Sequence, residues 1–346
     1  MHRLAYGAKN LLTNNSSPFT RHASLATPEI AFEHVTKRFP SAATPAVDDV
    51  SLDVQQGDLV VLLGPSGCGK TTLLKMVNRL YEHDSGRILM QGREIRSFKV
   101  TDLRRRIGYV IQSVGLFPHM TVARNIATVP EMLGWDKARI NSRVDELLEL
   151  VGLDPDEYRG RYPAQLSGGQ QQRVGLARAM SADPAIMLMD EPFAAIDSIT
   201  RRRLQDELLN IQQKVRKTIL FVTHDVEEAI RLADKIAVMR AGKVVQYDTP
   251  LRILSTPADD FVTELTGAGD VLRRLSLLNV GLAMLPANGA SPGPGAATTL
   301  HPRDSLRDAL GQLLGSGAEV LPVVDEQGHH VGTIDMAAIR RLTHPE

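Results

Sequence analysis

The chain has 346 residues, 43% of them apolar, and its 40 basic side chains are balanced by 40 acidic ones. That length holds two domains of ordinary size or one large domain with an appendage, and zero net charge offers no global field for nucleic acid or anionic lipid, so no nucleic-acid partner is expected. One cysteine excludes an internal disulfide and fits a reducing compartment, and no apolar run reaches the roughly 18 to 20 residues that span a bilayer as a helix.

Residues 1–28 carry Arg3, Lys9 and Arg21 but no acidic side chain, and they lack the apolar core of a signal peptide; a disordered tail is expected there. From Ile30 the short apolar segments IAFEHV and VSLDV alternate with turn-forming PSAATP and QQG, which predicts strands. Phe39, in TKRFP, is a candidate to stack on adenine, or else a core aromatic of a β subdomain. LVVLLG then forms a continuous apolar run, suited to a strand covered on both faces of a parallel sheet.

That strand leads into GPSGCGKTT, Gly64 to Thr72, and then a helical TLLKMVNRL. The pattern G-x-x-x-x-G-K-[ST] stands here in the strand-to-helix setting it requires. Gly64, Gly67 and Gly69, with Pro65, Ser66 and Cys68 between them, let backbone N–H groups turn inward around phosphate oxygens. Lys70 brings positive charge to the β- and γ-phosphates, and Thr71, followed by Thr72, offers a hydroxyl to Mg²⁺. Cys68 lies close to a helix N-terminus, so a thiolate is expected, open to alkylation that ATP would block.

Further along, Gln112 follows the strand IGYVI, where its amide oxygen can reach Mg²⁺ and an attacking water; VGLFPHMTV comes next. Residues 115–165 read as a helical insertion. At its end LSGGQ, Leu166 to Gln170, opens another helix with a glycine pair, a second turn of phosphate-binding type in one chain. AIMLMD and TILFVTHD supply two more buried strands, so the alternation argues for an α/β core. Asp190, ending the first, is placed to hold a metal directly or through water, Glu191 to polarise the attacking water, and His224, ending the second, to contact the γ-phosphate.

A change of composition near Gly267 marks a smaller module. The apolar LRRLSLLNVGLAML precedes a Gly/Pro/Ala-rich stretch expected to be a flexible loop. PRDSLRDALGQLLGSG then reads as an amphipathic helix with Ser or Asp at its start and glycine at its end. EVLPVVDE and VGTID predict two strands around the turn QGHH, and AAIRRL a closing helix. Residues 270–346 hold six Arg, eight acidic side chains and no Lys, which gives no basic surface.

The phosphate loop, Gln112, LSGGQ, the acidic pair at 190 and 191 and His224 occur in the order seen in ATP-binding cassette (ABC) proteins, and residues 29–265 resemble that family. The resemblance implies an α/β fold, a P-loop NTPase of ABC type, with a mixed-sheet core, an antiparallel β subdomain and a helical subdomain. It implies Glu191 and His224 as catalytic residues, Phe39, residues 64–72 and Gln112 on ATP, and Thr71, Gln112 and Asp190 on Mg²⁺. It also implies a head-to-tail dimer, in which Leu166, Ser167, Gly168, Gly169 and Gln170, together with Asp197, meet the ATP held by Lys70 of the opposing copy. The logic is physical: a helix N-terminus with free N–H groups stabilises anionic charge, so ATP joins two subunits.

Finer matches, among them NIATVPEMLGWDKARI, RVDELLELVGLDPDEYRGRYPAQLSGGQQQRV and VVQYDTPLRILSTPADDFV, resemble the ATPase subunits of bacterial importers for glycine betaine, choline and carnitine. What they imply is ATP-driven uptake of these osmoprotectants, at the cytoplasmic face of the membrane. The implied partners are transmembrane permease subunits and an extracytoplasmic solute-binding protein. EVLPVVDEQGHHVGTIDMAAI resembles one repeat of the cystathionine-β-synthase (CBS) type, within a module at 270–346 that the Gly/Pro-rich 286–298 interrupts. Relatives often carry two repeats, so a single one implies an apolar face for a second chain. One departure is FAAID at 193–197, where the family usually has Gly or Ser before Ala-Leu-Asp; Asp197 itself is kept. Competing readings are an importer for amino acids or other small solutes, a soluble ABC ATPase outside transport, and a regulatory module that binds ATP without turnover.

Overall fold

The computed structural model describes residues 27–40, 42–112, 115–194, 196–286 and 299–343. All but the last two residues of the expected tail at 1–28, and all but Pro286 of the Gly/Pro-rich interruption, lie outside these.

Strands β1 (Ile30–Lys37) and β2 (Val47–Val54) are followed by β3 (Leu59–Leu63), helix α1 (Lys70–Val77), β4 (Ser85–Met90), β5 (Arg93–Glu94), α2 (Val100–Arg105) and β6 (Ile107–Val110). Helices α3 (Val122–Met132), α4 (Lys137–Leu150) and α5 (Pro155–Tyr158) make up the insertion, and α6 (Gly168–Met180) returns the chain to β7 (Ile186–Asp190). Next come α7 (Ser198–Val215), β8 (Thr218–Thr223), α8 (Val226–Leu232), β9 (Lys235–Arg240), β10 (Lys243–Asp248), α9 (Pro250–Ser255) and α10 (Asp260–Thr266). The C-terminal module contains α11 (Val271–Leu277), α12 (Val280–Ala283), β11 (Leu285–Pro286), α13 (Leu306–Ser316), β12 (Val320–Val324), β13 (His330–Asp335) and α14 (Met336–Thr343).

Two sheets enclose α1. β2, which buries Val47, Val50, Leu52 and Val54 while its acidic residues turn outward, belongs to an antiparallel sheet of order β2-β1-β4-β5. β3, β7 and β8 are buried at every position and lie inside a second sheet, of order β10-β9-β3-β8-β7-β6, parallel except for β10. Leu73, Leu74, Met76 and Val77 of α1 share one apolar cluster with residues of both sheets. At about 1.5–3 kcal/mol for each large aliphatic side chain taken out of water, this cluster fixes the start of α1 against the end of β3. A second cluster joins the other sheet face to α3, α4, α6 and α7.

Helix ends follow the chemistry of the sequence. Asp136, Ser167, Asp197, Asp225 and Ser305 each cap a helix through the side chain, each cap stabilising by about 1 kcal/mol. The C-terminal module has an apolar cluster of its own, from Leu275 through Val280, Leu313 and Val323 to Ile339. It is tied to the preceding body by Arg273, which donates to the Thr266 carbonyl at 2.6 Å and pairs with Glu227 at 2.9 Å. Its sheet has order β11-β13-β12; the two-residue β11 is a strand that hydropathy does not reveal. Leu282, Leu285, Leu314 and Val320 remain exposed on this module.

Candidate functional site

In a parallel sheet all strands deliver their C-terminal ends to one edge, and there a ligand meets the loops. Here β3, β8, β7 and β6 are consecutive neighbours, with Leu63 opposite Thr223, Val222 opposite Asp190, and Met189 opposite Val110. The loop at Gly64, His224, the Asp190–Glu191 pair and Gln112 are therefore set side by side along one edge, although the chain separates them widely.

The phosphate loop is wrapped tightly from outside. Gly64 has φ 158° and Gly69 φ 108°; a Cβ on Gly64 would lie 2.3 Å from the Met239 carbonyl oxygen, and one on Gly69 2.1 Å from that of Ala46. No L side chain fits either place. Lys70, 5% exposed, turns back over the loop, its Nζ donating to the carbonyls of Gly64 at 2.7 Å and Pro65 at 3.0 Å. The Thr71 hydroxyl donates to Asp190 Oδ1 at 2.8 Å, joining residues 119 apart in sequence. These are hard oxygen donors of the kind Mg²⁺ selects, and one carboxylate with one hydroxyl suits an ion that takes its other ligands from phosphates and water.

Cys68 corrects an expectation. It is 4% exposed, and burial pushes its thiol up despite the neighbouring Lys70 ammonium, so the side chain is a neutral, covered thiol. Lowering by the Lys70 charge and by hydrogen bonds from Lys70 and the local backbone loses to desolvation, and ready alkylation of a thiolate is withdrawn with it.

Glu191 occupies the left-handed region at φ 44°, a placement costing a residue other than glycine about 1–3 kcal/mol. Its N–H donates to the Val222 carbonyl at 3.0 Å, and its Oε2 lies 3.2 Å from His224 Nδ1. The carboxylate can only accept, so Nδ1 carries the hydrogen. Gln112 is exposed at the end of β6. Tyr109, which no motif indicated, is half-buried on β6; burial first and Asp190 second push its phenol up to about 12. Phe39 is half-buried and packs edge-on to Tyr81 at 5.3 Å, with Lys37 Nζ 5.5 Å from its ring centre.

The signature turn forms a second group. Ser167 caps α6, its hydroxyl accepting from Gln170 N–H at 3.3 Å while Gln170 Oε1 accepts from Ser167 N–H at 2.9 Å. Gln170 Nε2 donates to the Tyr158 hydroxyl at 3.0 Å, and Leu166 is buried beneath the turn. Ser167 and Gly168 are exposed. A Cβ on Gly169 would meet Thr200 Cγ2 at 3.0 Å, so the start of α6 lies against the start of α7. Asp197, the α7 cap, accepts from Thr200 N–H at 3.0 Å, and this bond holds its carboxyl below the usual range.

This arrangement can cradle a triphosphate at the strand ends and present a water to it between Glu191 and His224. A family model described as ABC transporter matches residues 47–194. The chain is also 50% identical over 305 residues to the glycine betaine uptake system ATP-binding protein YehX of Escherichia coli (strain K12), spanning 88% of this chain and 97% of that one. This chain belongs to the ABC transporter family, as an ATP-binding subunit. It is 39% identical over 362 aligned positions to the glycine betaine/carnitine/choline transport ATP-binding protein OpuCA of Bacillus subtilis (strain 168), covering 90% of this chain and 95% of that one. Among solved structures, it resembles a dimeric post-hydrolysis state of the ATP-binding cassette MJ0796 bound to ADP and Pi. There the TM-score is 0.57 and the identity 29%, over 64% of this chain and 98% of that one.

Proposed function

We propose that the chain hydrolyses ATP to drive an importer of quaternary-amine osmoprotectants such as glycine betaine, choline and carnitine. The observation that carries this reading is the match to YehX, half identical and running over 97% of that protein's length. Two copies act head to tail on the cytoplasmic face of the membrane, bound to transmembrane permease subunits that an extracytoplasmic solute-binding protein loads. Among the described residues no helix is long and apolar enough to cross a membrane, and in this reading the solute path lies in those partners.

In the proposed mechanism the loop from Gly64 to Thr72 binds the phosphates through its N–H groups and Lys70, Phe39 stacks on adenine, and Gln112 faces the γ-phosphate. Thr71, Asp190 and Gln112 would hold Mg²⁺, which when bound neutralises charge on the β- and γ-phosphates. Glu191 accepts the proton of the attacking water, and His224, oriented by Glu191, positions the γ-phosphate. Ser167, Gly168 and Gly169 close over the ATP of the opposite subunit, with Leu166, Gln170 and Asp197 shaping that contact. Binding closes the dimer, and loss of phosphate lets it open.

The module at 270–346 is proposed as a single CBS-like repeat whose exposed Leu282, Leu285, Leu314 and Val320 meet the same module of the second chain. Cells lacking the gene, complemented with wild type or Glu191→Gln, test the main reading through uptake of labelled glycine betaine, choline and carnitine at high osmolarity. Uptake restored by wild type and not by Glu191→Gln is expected; equal uptake in all three strains would refute it.

A further inference from the structure

Helix α7 carries Arg201 and Gln205 four residues apart, hence on one face, and that face meets the start of α8 directly after His224. Arg201 reaches both ways. Its Nη2 donates to the Ile196 carbonyl at 2.9 Å and its Nη1 to Asp225 Oδ2 at 3.3 Å. Asp225 Oδ1 accepts from Glu227 N–H and Glu228 N–H at 2.9 and 3.2 Å, capping α8, while Asp225 N–H donates to the Thr223 hydroxyl at 3.0 Å. Gln205 Nε2 donates to Glu228 Oε1 at 3.0 Å; these side chains are 6% and 5% exposed. Thr223 also hydrogen-bonds Glu228. His224 thus lies between two residues, Thr223 and Asp225, that are both held by this network.

A buried carboxyl with an amide and a hydroxyl as partners is a costly way to pack two helices, because apolar side chains of the same size need no desolvation. What the polar network supplies instead is direction. Each hydrogen bond fixes α8 against α7 to within a few tenths of an ångström, whereas apolar packing permits sliding. The segment 196–197 leads directly into the start of α7, and Arg201 is bonded to it as well.

We infer that Arg201 and Gln205, with Asp225 and Glu228, form a positioning clamp that sets His224 according to the placement of the Ile196–Asp197 segment, so that hydrolysis responds to docking of the second subunit. This rests on the proposed ATPase reading, in which Asp197 faces the opposing chain. None of the four clamp residues touches the reacting atoms; they act through His224.

The test uses the full-length chain, with Gln205→Leu, Arg201→Gln and Glu228→Gln compared for ATP binding by the monomer, for ATP-driven dimerisation in a Glu191→Gln background, and for kcat at protein concentrations where the dimer is complete. Gln205→Leu and Arg201→Gln should lower kcat on the order of ten- to a hundredfold, the effect of misplacing a catalytic group by a fraction of an ångström to an ångström. Monomer affinity for ATP should stay within about twofold, the mark of an interaction used only in turnover. Glu228→Gln should keep kcat within about threefold, since its amide can still accept from Gln205 and donate to Thr223.

A wild-type kcat in both Gln205→Leu and Arg201→Gln overturns the clamp. So does a loss shared equally by kcat, ATP affinity and melting temperature in both variants, or recovery of kcat on raising protein concentration. Should Gln205→Leu fail to fold, Arg201→Gln, at a partly exposed side chain, decides the matter. A wild-type chain without ATPase activity would instead overturn the functional reading itself.

Discussion

The phosphate loop and the signature turn are both glycine-rich entries to a helix, yet they are built in opposite ways. Around Gly64 and Gly69 the carbonyls of Met239 and Ala46 press on the backbone, Lys70 is folded inside, and Thr71 is bonded to Asp190. The signature turn has Ser167 and Gly168 at the surface, and the Ser167 hydroxyl serves only its own helix cap among the described contacts. The first is a site assembled within one chain. In the proposed dimer the second is half of a site, an anion-favouring helix start whose ligand arrives on another molecule.

The largest separation between the two regions is expected in turnover. Glu191→Gln removes the proposed proton acceptor beside the phosphate loop and should lower kcat by about 10²–10⁴-fold, the usual contribution of a general base, while ATP should still join two subunits through the signature turn. Single-turnover hydrolysis and sedimentation in ATP measure the two halves; loss of dimerisation along with kcat would break the contrast.

Stability gives the next effect. Gly69→Ala places a Cβ against the Ala46 carbonyl at a positive φ and should destabilise by about 2–4 kcal/mol, whereas Gly168→Ala meets open space and should stay within about 0.5 kcal/mol. Urea denaturation of the two variants checks this. Chemical access follows: the covered, neutral Cys68 should react with iodoacetamide at pH 8 at least about tenfold more slowly than free cysteine. A rate equal to that of the free thiol would mean that the loop is open.

The smallest effect lies in the link between Asp197 and His224. Burial pushes the Glu228 carboxyl above its ordinary range, so the folded state binds its proton more tightly than the unfolded one. The favourable contribution of the protonated acid is therefore complete below the unfolded value and is lost as pH rises through the folded one. Glu228→Gln, which mimics the protonated form at every pH, should raise the melting temperature at pH 8 and raise it less at pH 4.5. Thermal unfolding at the two values reads the sign.

Much of the strand-edge cluster was legible because each member sits at the end of an apolar run, and parallel strands bring such ends together whatever the loops between them. The helix at LSGGQ was legible from its glycine pair, and the structure adds the capping box between Ser167 and Gln170. The clamp was not legible. Gln205 and Glu228 read as polar residues on the surfaces of two helices, and only the packing of α7 on α8 buries them. Cys68 was misjudged for the same reason: its position in the motif shows the positive surroundings but not the depth. In the C-terminal module β12 and β13 followed from hydropathy, while β11, with Pro286 in a two-residue edge strand, carries too short a pattern to register.

The central claim is that the active unit is two chains, each completing the other's site. Ser167→Arg tests it most directly, because the side chain is exposed and the change is made far from Lys70 in sequence. ATP affinity of the monomer should remain within about twofold of wild type, while ATP-driven dimerisation and hydrolysis are lost. A comparable fall in monomer affinity, or hydrolysis that survives without a dimer, would contradict the account.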